Sequence, residues 1–226
     1  NQAGYYNLIY DNGGYIINDD KTKSGMDDPK TVEAMEMLEG WIKDGVLPPI
    51  ETMSENGEDV LLESGKVAMV PQGSWMIAAF RDNEYTAENC DCVELPKSAT
   101  TGRRASLYNG LGWAAAANTE HPEEAWQLIE YLGSKEAQEK QAELGVTMSA
   151  YTGTSEAWAK SADFNLQAYI NMMDDMEIRP YSRSTVTWEN KNSEILKSVY
   201  SGDKTMADAC KEMAEQMNES LAEEQQ

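Results

Sequence analysis

Histidine is nearly absent from this chain: His121 is the single one in 226 residues. Serine–histidine and cysteine–histidine catalysis need an imidazole beside a nucleophile, and no nucleophile pattern surrounds His121. Cysteine is scarce too. Cys90, Cys92 and Cys210 form an odd set with no second close pair, so neither a disulfide framework nor a structural zinc site is expected. No metal and no cofactor is expected. There is no Gly-Lys-Ser/Thr phosphate loop, and Gly110-x-Gly112 lacks the third glycine of a dinucleotide fingerprint. No apolar run approaches the ~18 residues of a membrane span. Basic residues are few: 18 Lys and Arg stand against 40 Asp and Glu, for a net charge of −22. That excludes the basic surface needed for nucleic acid or anionic lipid. The chain starts Asn1-Gln2-Ala3, without Met, a basic n-region or an apolar h-region. The expectation is a processed or truncated chain whose targeting segment is not in this stretch.

Hydrophobic residues make up 41% of the chain, enough for a core. Phe is rare (two), whereas Tyr (11) and Trp (six) are plentiful, and such rings with a polar handle suit recognition surfaces. Residues 4–18 read as a short element, a Gly-Gly turn and a strand at Tyr15–Ile17. The acidic stretch from Asn18 to Asp28 lacks calcium-loop spacing and reads as a surface turn, with Asp28 capping a helix that starts at Pro29. Val32, Met35, Leu38 and Ile42 give that helix an apolar stripe. A helix over 58–64 precedes Lys66–Val70, which reads as a buried strand. The spacing predicts further strands over 91–96 and 107–117. A helix is expected from Pro122, buried through Ala125, Leu128, Ile129 and Leu132, and another after Ser134. One or two helices are expected over 154–176, then helices over 188–200 and from Thr205 on. Thr205-x-x-Asp208 has capping-box spacing, and Met206, Ala209, Cys210, Met213, Met217 and Leu221 share one face. Residues 223–226 read as a frayed tail. Alternating strands and helices make this an α/β protein.

The most specific chemical signal is aromatic. Gly73-Ser74-Trp75 places an indole in the first turn of a helix, after an expected strand and a Pro71-Gln72-Gly73 turn. Open α/β folds bind ligands outside the carboxyl ends of their strands. A flat ring beside free helix-end amides suits a sugar ring, which needs C–H packing and neutral donors. Trp113 and Trp188 are further candidates on the same grounds, and each of these two could equally be core. Forty acids supply too many carboxylates for any pair to stand out as a glycosidase dyad.

The run Leu62 to Trp75, through Gly65-Lys66, Ala68-Met69 and Gly73-Ser74-Trp75, resembles a signature of family 1 extracellular solute-binding proteins. These are the maltose-binding-protein-like, carbohydrate-binding subunits of ABC importers. A second block, Gly110 to Ala114 with Asn118 and His121-Pro122-Glu123-Glu124-Ala125-Trp126 through Leu132, is similar to that family. So is a third, Arg179-Pro180 through Trp188, then Tyr200 to Thr205 and Ala209. Gly145-Val146-Thr147-Met148 departs from it, since relatives usually carry proline at the fourth place.

The resemblance implies a periplasmic-binding-protein-like fold of type II, here the C-terminal portion, lacking most of the N-terminal lobe. Residues 1–106 and 166–226 would form the C-terminal lobe, and 107–165 would normally complete the N-terminal lobe. Without its sheet partners, that excursion is expected to expose an apolar patch and could dimerise. Carried over residue by residue, the ligand site would comprise Gly73, Ser74, Trp75, Asn109, Gly110, Trp113, Tyr181, Arg183, Trp188 and Tyr6, with Tyr5 beside it. The implied function is capture of a mono- or oligosaccharide and its delivery to ABC permease membrane subunits, by binding rather than catalysis. The implied location is outside the cytoplasm, as a cell-surface lipoprotein or in the periplasm. The rivals are a carbohydrate-active hydrolase with an acidic pair, and a polyamine-, peptide- or anion-binding protein of the same fold.

Overall fold

A computed structural model describes residues 2–225. In chain order its elements are α1 (Gln2–Asp11), α2 (Pro29–Lys43), α3 (Ile50–Glu55), α4 (Glu58–Glu63), α5 (Ile77–Asp82), α6 (Glu84–Asn89), β1 (Ser106–Tyr108), α7 (Pro122–Gly133), α8 (Lys135–Glu143), α9 (Ser155–Ala159), α10 (Gln167–Asn171), β2 (Met176–Ile178), α11 (Thr185–Tyr200) and α12 (Met206–Glu223). Single 3-10 turns cover Ser74–Met76 and Met172–Asp175. β1 and β2 pair in parallel, with Ser106, Leu107 and Tyr108 opposite Met176, Glu177 and Ile178. The described residues are therefore mostly helical around one small parallel sheet.

Contacts divide the chain into two compact units. Unit 1 comprises Asn1–Glu58, Leu95–Tyr108 and Asp175–Gln226; unit 2 comprises Asp59–Glu94 and Asn109–Asp174.

Unit 1 is built on α12. Thr205 accepts a hydrogen bond from the Asp208 N–H (3.2 Å), and its hydroxyl donates to the Asp208 carboxylate. This satisfies an amide that the first turn would otherwise leave without a partner. Met206, Ala209, Cys210, Met213, Met217 and Leu221 are all fully buried on one face, as their spacing predicts. Each large side chain among them contributes about 1.5–3 kcal/mol by leaving water. Burial also pushes the Cys210 thiol up to about 12, so it stays neutral and packs as a small apolar group. The same cluster takes in Tyr5, Tyr6 and Ile9 from α1, Ala34 and Met35 from α2, and Trp188, Leu196 and Val199 from α11. Between α1 and α2 the chain turns at Gly14, where a Cβ would lie 2.5 Å from the Thr31 hydroxyl oxygen. Only glycine lets the Thr31 hydroxyl come close enough to donate to the Tyr15 carbonyl (3.0 Å).

Unit 2 has a smaller core of Ile77, Ala142, Trp158 and Leu166, with Tyr169 edge-on to Trp158 at 5.7 Å between ring centres.

Several expectations are corrected. Residues 66–70, 91–96 and 109–117 form no strands, and Met69 is 85% exposed. A strand exists only where a neighbour takes its amides and carbonyls, and among the described residues only 106–108 and 176–178 find one. The first element is the helix α1, and Tyr15–Ile17 contributes a single bridge, from Ile17 to Ser24. α7 forms as expected but buries none of its residues: Leu128 is 58% exposed and Trp126 63%. The expected apolar patch is thus present on α7 and in the preceding Leu111 and Trp113. The end of the chain is not frayed at Glu224, which is hydrogen-bonded; Gln226 lies outside the described residues.

Candidate functional site

In unit 2, the turn before α5 mounts Trp75. Its indole is 49% exposed and folds back over Gly73. A Cβ on Gly73 would lie 2.1 Å from the ring, so glycine is what allows the ring to lie there. The Gly73 amide donates to the Gln72 side-chain oxygen (2.9 Å). Tyr169 donates its hydroxyl proton to the Gln72 carbonyl (3.1 Å), and the Ser74 and Thr147 hydroxyls are 3.1 Å apart. Two remote segments, at Thr147 and Tyr169, thus hold one exposed aromatic turn. Gln72, Thr147 and Tyr169 were not picked out from the sequence. Thr147 falls in the stretch that departs from the family pattern, and no spacing signal marks Tyr169. Asn109 is half-buried, and Gly110 and Trp113 are exposed in an extended stretch of the same unit.

Unit 1 holds the other candidates. Trp188 is fully buried among the helices of the core, and its indole N–H donates to the Ser182 hydroxyl oxygen (3.0 Å). This corrects the expectation of a second stacking ring: Trp188 falls on the inward face of α11, one turn from Asn192, two from Leu196 and three from Val199, all buried. Tyr6 is corrected in the same way. It is fully buried, and its hydroxyl donates to the Glu189 carboxylate (3.2 Å), which also receives two bonds from Arg179 (2.8 and 2.6 Å). The Glu189 hydrogen bond raises the Arg179 guanidinium further, and desolvation raises the Tyr6 phenol well above its ordinary range. This cluster ties α1 to α11 and leaves no ring free for a ligand.

Tyr181 and Arg183 are exposed. The ammonium of Lys21 lies 3.2 Å from the centre of the Tyr181 ring, a cation–π contact that covers one of its faces. A concavity of about 430 Å³ in unit 1, lined by Glu39, Ile42, Lys43, Tyr200, Asp203 and Lys204 among others, contains none of the candidate residues. Tyr200 is the single aromatic in its lining, and the rest is charged, small or aliphatic, unlike the largely apolar and aromatic wall common in ligand pockets. Among the described residues no group of three or more His, Cys, Asp or Glu is placed to hold a metal ion.

Residues 2–174 match the family model of the bacterial extracellular solute-binding proteins. The chain belongs to that family. Solved structures with the same periplasmic-binding-protein-like fold surround this solute-binding chain. One is an ABC substrate-binding protein from Listeria monocytogenes in complex with cycloalternan (TM-score 0.82, 19% identity, covering 96% of this chain and 56% of that one). Another is an ABC transporter solute-binding protein from Thermotoga lettingae bound with α-D-tagatose (TM-score 0.81, 22% identity, 97% and 56%). A third is the maltose/maltodextrin-binding domain from Bdellovibrio bacteriovorus bound to maltotriose (TM-score 0.78, 19% identity, 98% and 58%). The chain spans little more than half the length of these proteins. No curated protein sequence matches it.

Proposed function

We propose that this chain is part of the substrate-binding subunit of an ABC importer that captures a mono- or oligosaccharide and hands it to the membrane permease. The observation that carries the reading is Trp75: in a chain of the solute-binding family, a half-exposed indole is held by a glycine turn and three hydrogen bonds. A ring fixed before binding loses little freedom when a sugar stacks on it. Ser74, Asn109 and Arg183 would choose among hydroxyl configurations, since a wrong epimer leaves a buried polar group unpaired. The sugars bound by the similar structures favour this reading over a polyamine or peptide ligand. We read the action as binding without chemistry, outside the cytoplasm.

In a fold of the relatives' length, residues 1–106 and 166–226 would belong to the C-terminal lobe and 107–165 would complete the N-terminal lobe, with the sugar in the cleft between lobes. These boundaries differ from the compact units of the chain by itself, where 59–94 cluster with 109–174. The apolar face of α7 would pack on the rest of its lobe, or on a second copy when the chain is alone.

A calorimetric screen of sugars against the full-length protein, with spermidine as control, tests the reading. Binding of a sugar is expected, and Trp75→Ala should weaken it by about 1–3 kcal/mol, the range for lost stacking and burial. Unchanged affinity would remove Trp75 from the site; binding of spermidine alone, or release of reducing sugar, would replace the reading.

A further inference from the structure

Glu224, just beyond α12, turns its side chain back onto the segment that leads into α11. One carboxylate oxygen accepts from the Ser182 hydroxyl (2.7 Å), the Ser184 N–H (2.7 Å) and the Ser184 hydroxyl. The other accepts from the Arg183 N–H (2.9 Å). Ser182 is held from its other side as well: its amide donates to the Thr185 hydroxyl (2.7 Å), which in turn donates to the Ser182 carbonyl (2.7 Å). A carboxylate at a helix C-terminus is electrostatically disfavoured, so α12 itself gives no reason for an acid there. Nor is this a cap of α11 alone. The Arg183 amide lies outside that helix, and the Ser184 side chain caps none of its amides. What Glu224 satisfies is the turn 181–184, which carries Tyr181 and Arg183.

We propose that Glu224 is a positioning residue for ligand binding: its carboxylate fastens the 181–184 turn and thereby fixes where Tyr181 and Arg183 stand. The inference rests on the sugar-binding reading above. Desolvation is the largest single influence on the Glu224 carboxyl and raises it. The hydrogen bonds from Ser184, Ser182 and the Arg183 and Ser184 backbone outweigh it and bring the carboxyl down to about 2. A depressed carboxyl contributes its hold above the ordinary carboxylate range and loses it only as pH falls toward that value, so the turn stays fastened at neutral pH.

The test has two arms. Amide hydrogen exchange on the 226-residue chain compares wild type, Glu224→Gln and Glu224→Ala. Calorimetry with maltotriose and the other sugars of the screen compares the same three in the full-length protein. Glu224→Ala should speed exchange at Arg183 and Ser184 roughly ten-fold, the equivalent of one lost charge-assisted hydrogen bond, and leave the Met213 and Met217 amides of α12 unchanged. It should also weaken sugar binding about three- to ten-fold, with Glu224→Gln, which keeps one acceptor, between the two. Unchanged exchange at 183–184 would overturn the fastening. Faster exchange with unchanged affinity would overturn the positioning role and leave a turn cap. If wild type binds no sugar, the functional reading falls and takes the positioning role with it, while exchange still decides whether the carboxylate holds the turn.

Discussion

In unit 1, α12 buries eight of its residues, from Met206 to Leu221; in unit 2, α7 buries none, although Ala125, Leu128, Ile129 and Leu132 repeat at the same helical spacing. Local sequence makes both helices amphipathic, and both begin where their caps or proline say they should. Both have neighbours (α8 donates from Gln138 to the Leu132 carbonyl of α7), but only those of α12 close over its apolar face. α12 meets α2 and α11, whose own apolar stripes complete its core, whereas on α7 Leu128 is open to water and Ala125, Ile129 and Leu132 are only half-buried. A helical stripe states a demand for burial, and whether it is met depends on what else folds beside it. The contrast also separates two uses of tryptophan. Trp188 in unit 1 and Trp158 in unit 2 are fully buried core residues, whereas Trp75, Trp113 and Trp126, all in unit 2, are open.

The sharpest way to break that contrast is Trp188→Ala. Removing a fully buried indole should cost about 3–5 kcal/mol and shift the denaturation midpoint strongly. If the protein instead lost sugar affinity at nearly unchanged stability, Trp188 would be a ligand ring after all. Next in size is Arg179→Met, which strips the guanidinium from a Glu189 carboxylate whose side chain is only 6% exposed. Breaking a buried pair costs about 3–5 kcal/mol, but Arg179 is 41% exposed and water can replace part of the loss, so about 2 kcal/mol is expected. A change below about 0.5 kcal/mol would show that the α1–α11 tie is ornamental.

Legibility cut across that division. The helices with caps and stripes (α2, α4, α7, α8, α11 and α12) can be read directly from Asp28-Pro29, His121-Pro122, Ser134 and Thr205 with their apolar spacing. The strands could not, because Val67, Met69 and the Leu107–Ala117 stretch are apolar in a way that fits a buried strand only if a partner strand is present. α3 and α6 are single short helices without a stripe long enough to register. The exposure of Trp75 was legible through its Gly73 turn, whereas the burial of Trp188 and Tyr6 was not. An aromatic at an expected helix start looks the same in sequence whether it faces a ligand or a core. The Glu189–Arg179–Tyr6 cluster joins residues more than 170 positions apart, and no local pattern carries such a contact.

A smaller effect should appear in the pH dependence of unit 1. The Asp11 carboxyl is pushed up to about 6, first by burial, against the lowering influence of the Ala105 amide and of Arg103 and Arg104. A carboxyl raised in the folded state binds its proton more tightly there than when unfolded. Its stabilising contribution is complete below the ordinary carboxylate value and is lost as pH rises through about 6. Asp11→Asn should therefore gain on wild type between pH 4 and 7 in parallel denaturant titrations, and curves that stay parallel would place Asp11 in ordinary solvent.

The smallest expected change sits on the other side of the contrast. Trp126→Glu combined with Leu128→Glu adds two charges to α7 at positions that already face water, where substitutions usually fall within about 0.5 kcal/mol. Glutamate is a good helix former, so the helix itself should persist. What should fall is the binding of a hydrophobic dye, because Trp126 and Leu128, with Tyr131, are the large apolar side chains that α7 leaves exposed. A second copy on that face would give a different pattern. Wild type would then elute as a dimer in gel filtration, the double variant as a monomer, and the dye would bind wild type weakly. A stability loss well above 1 kcal/mol in a monomeric chain would erase the contrast, since it would mean that α7 is packed in solution as α12 is.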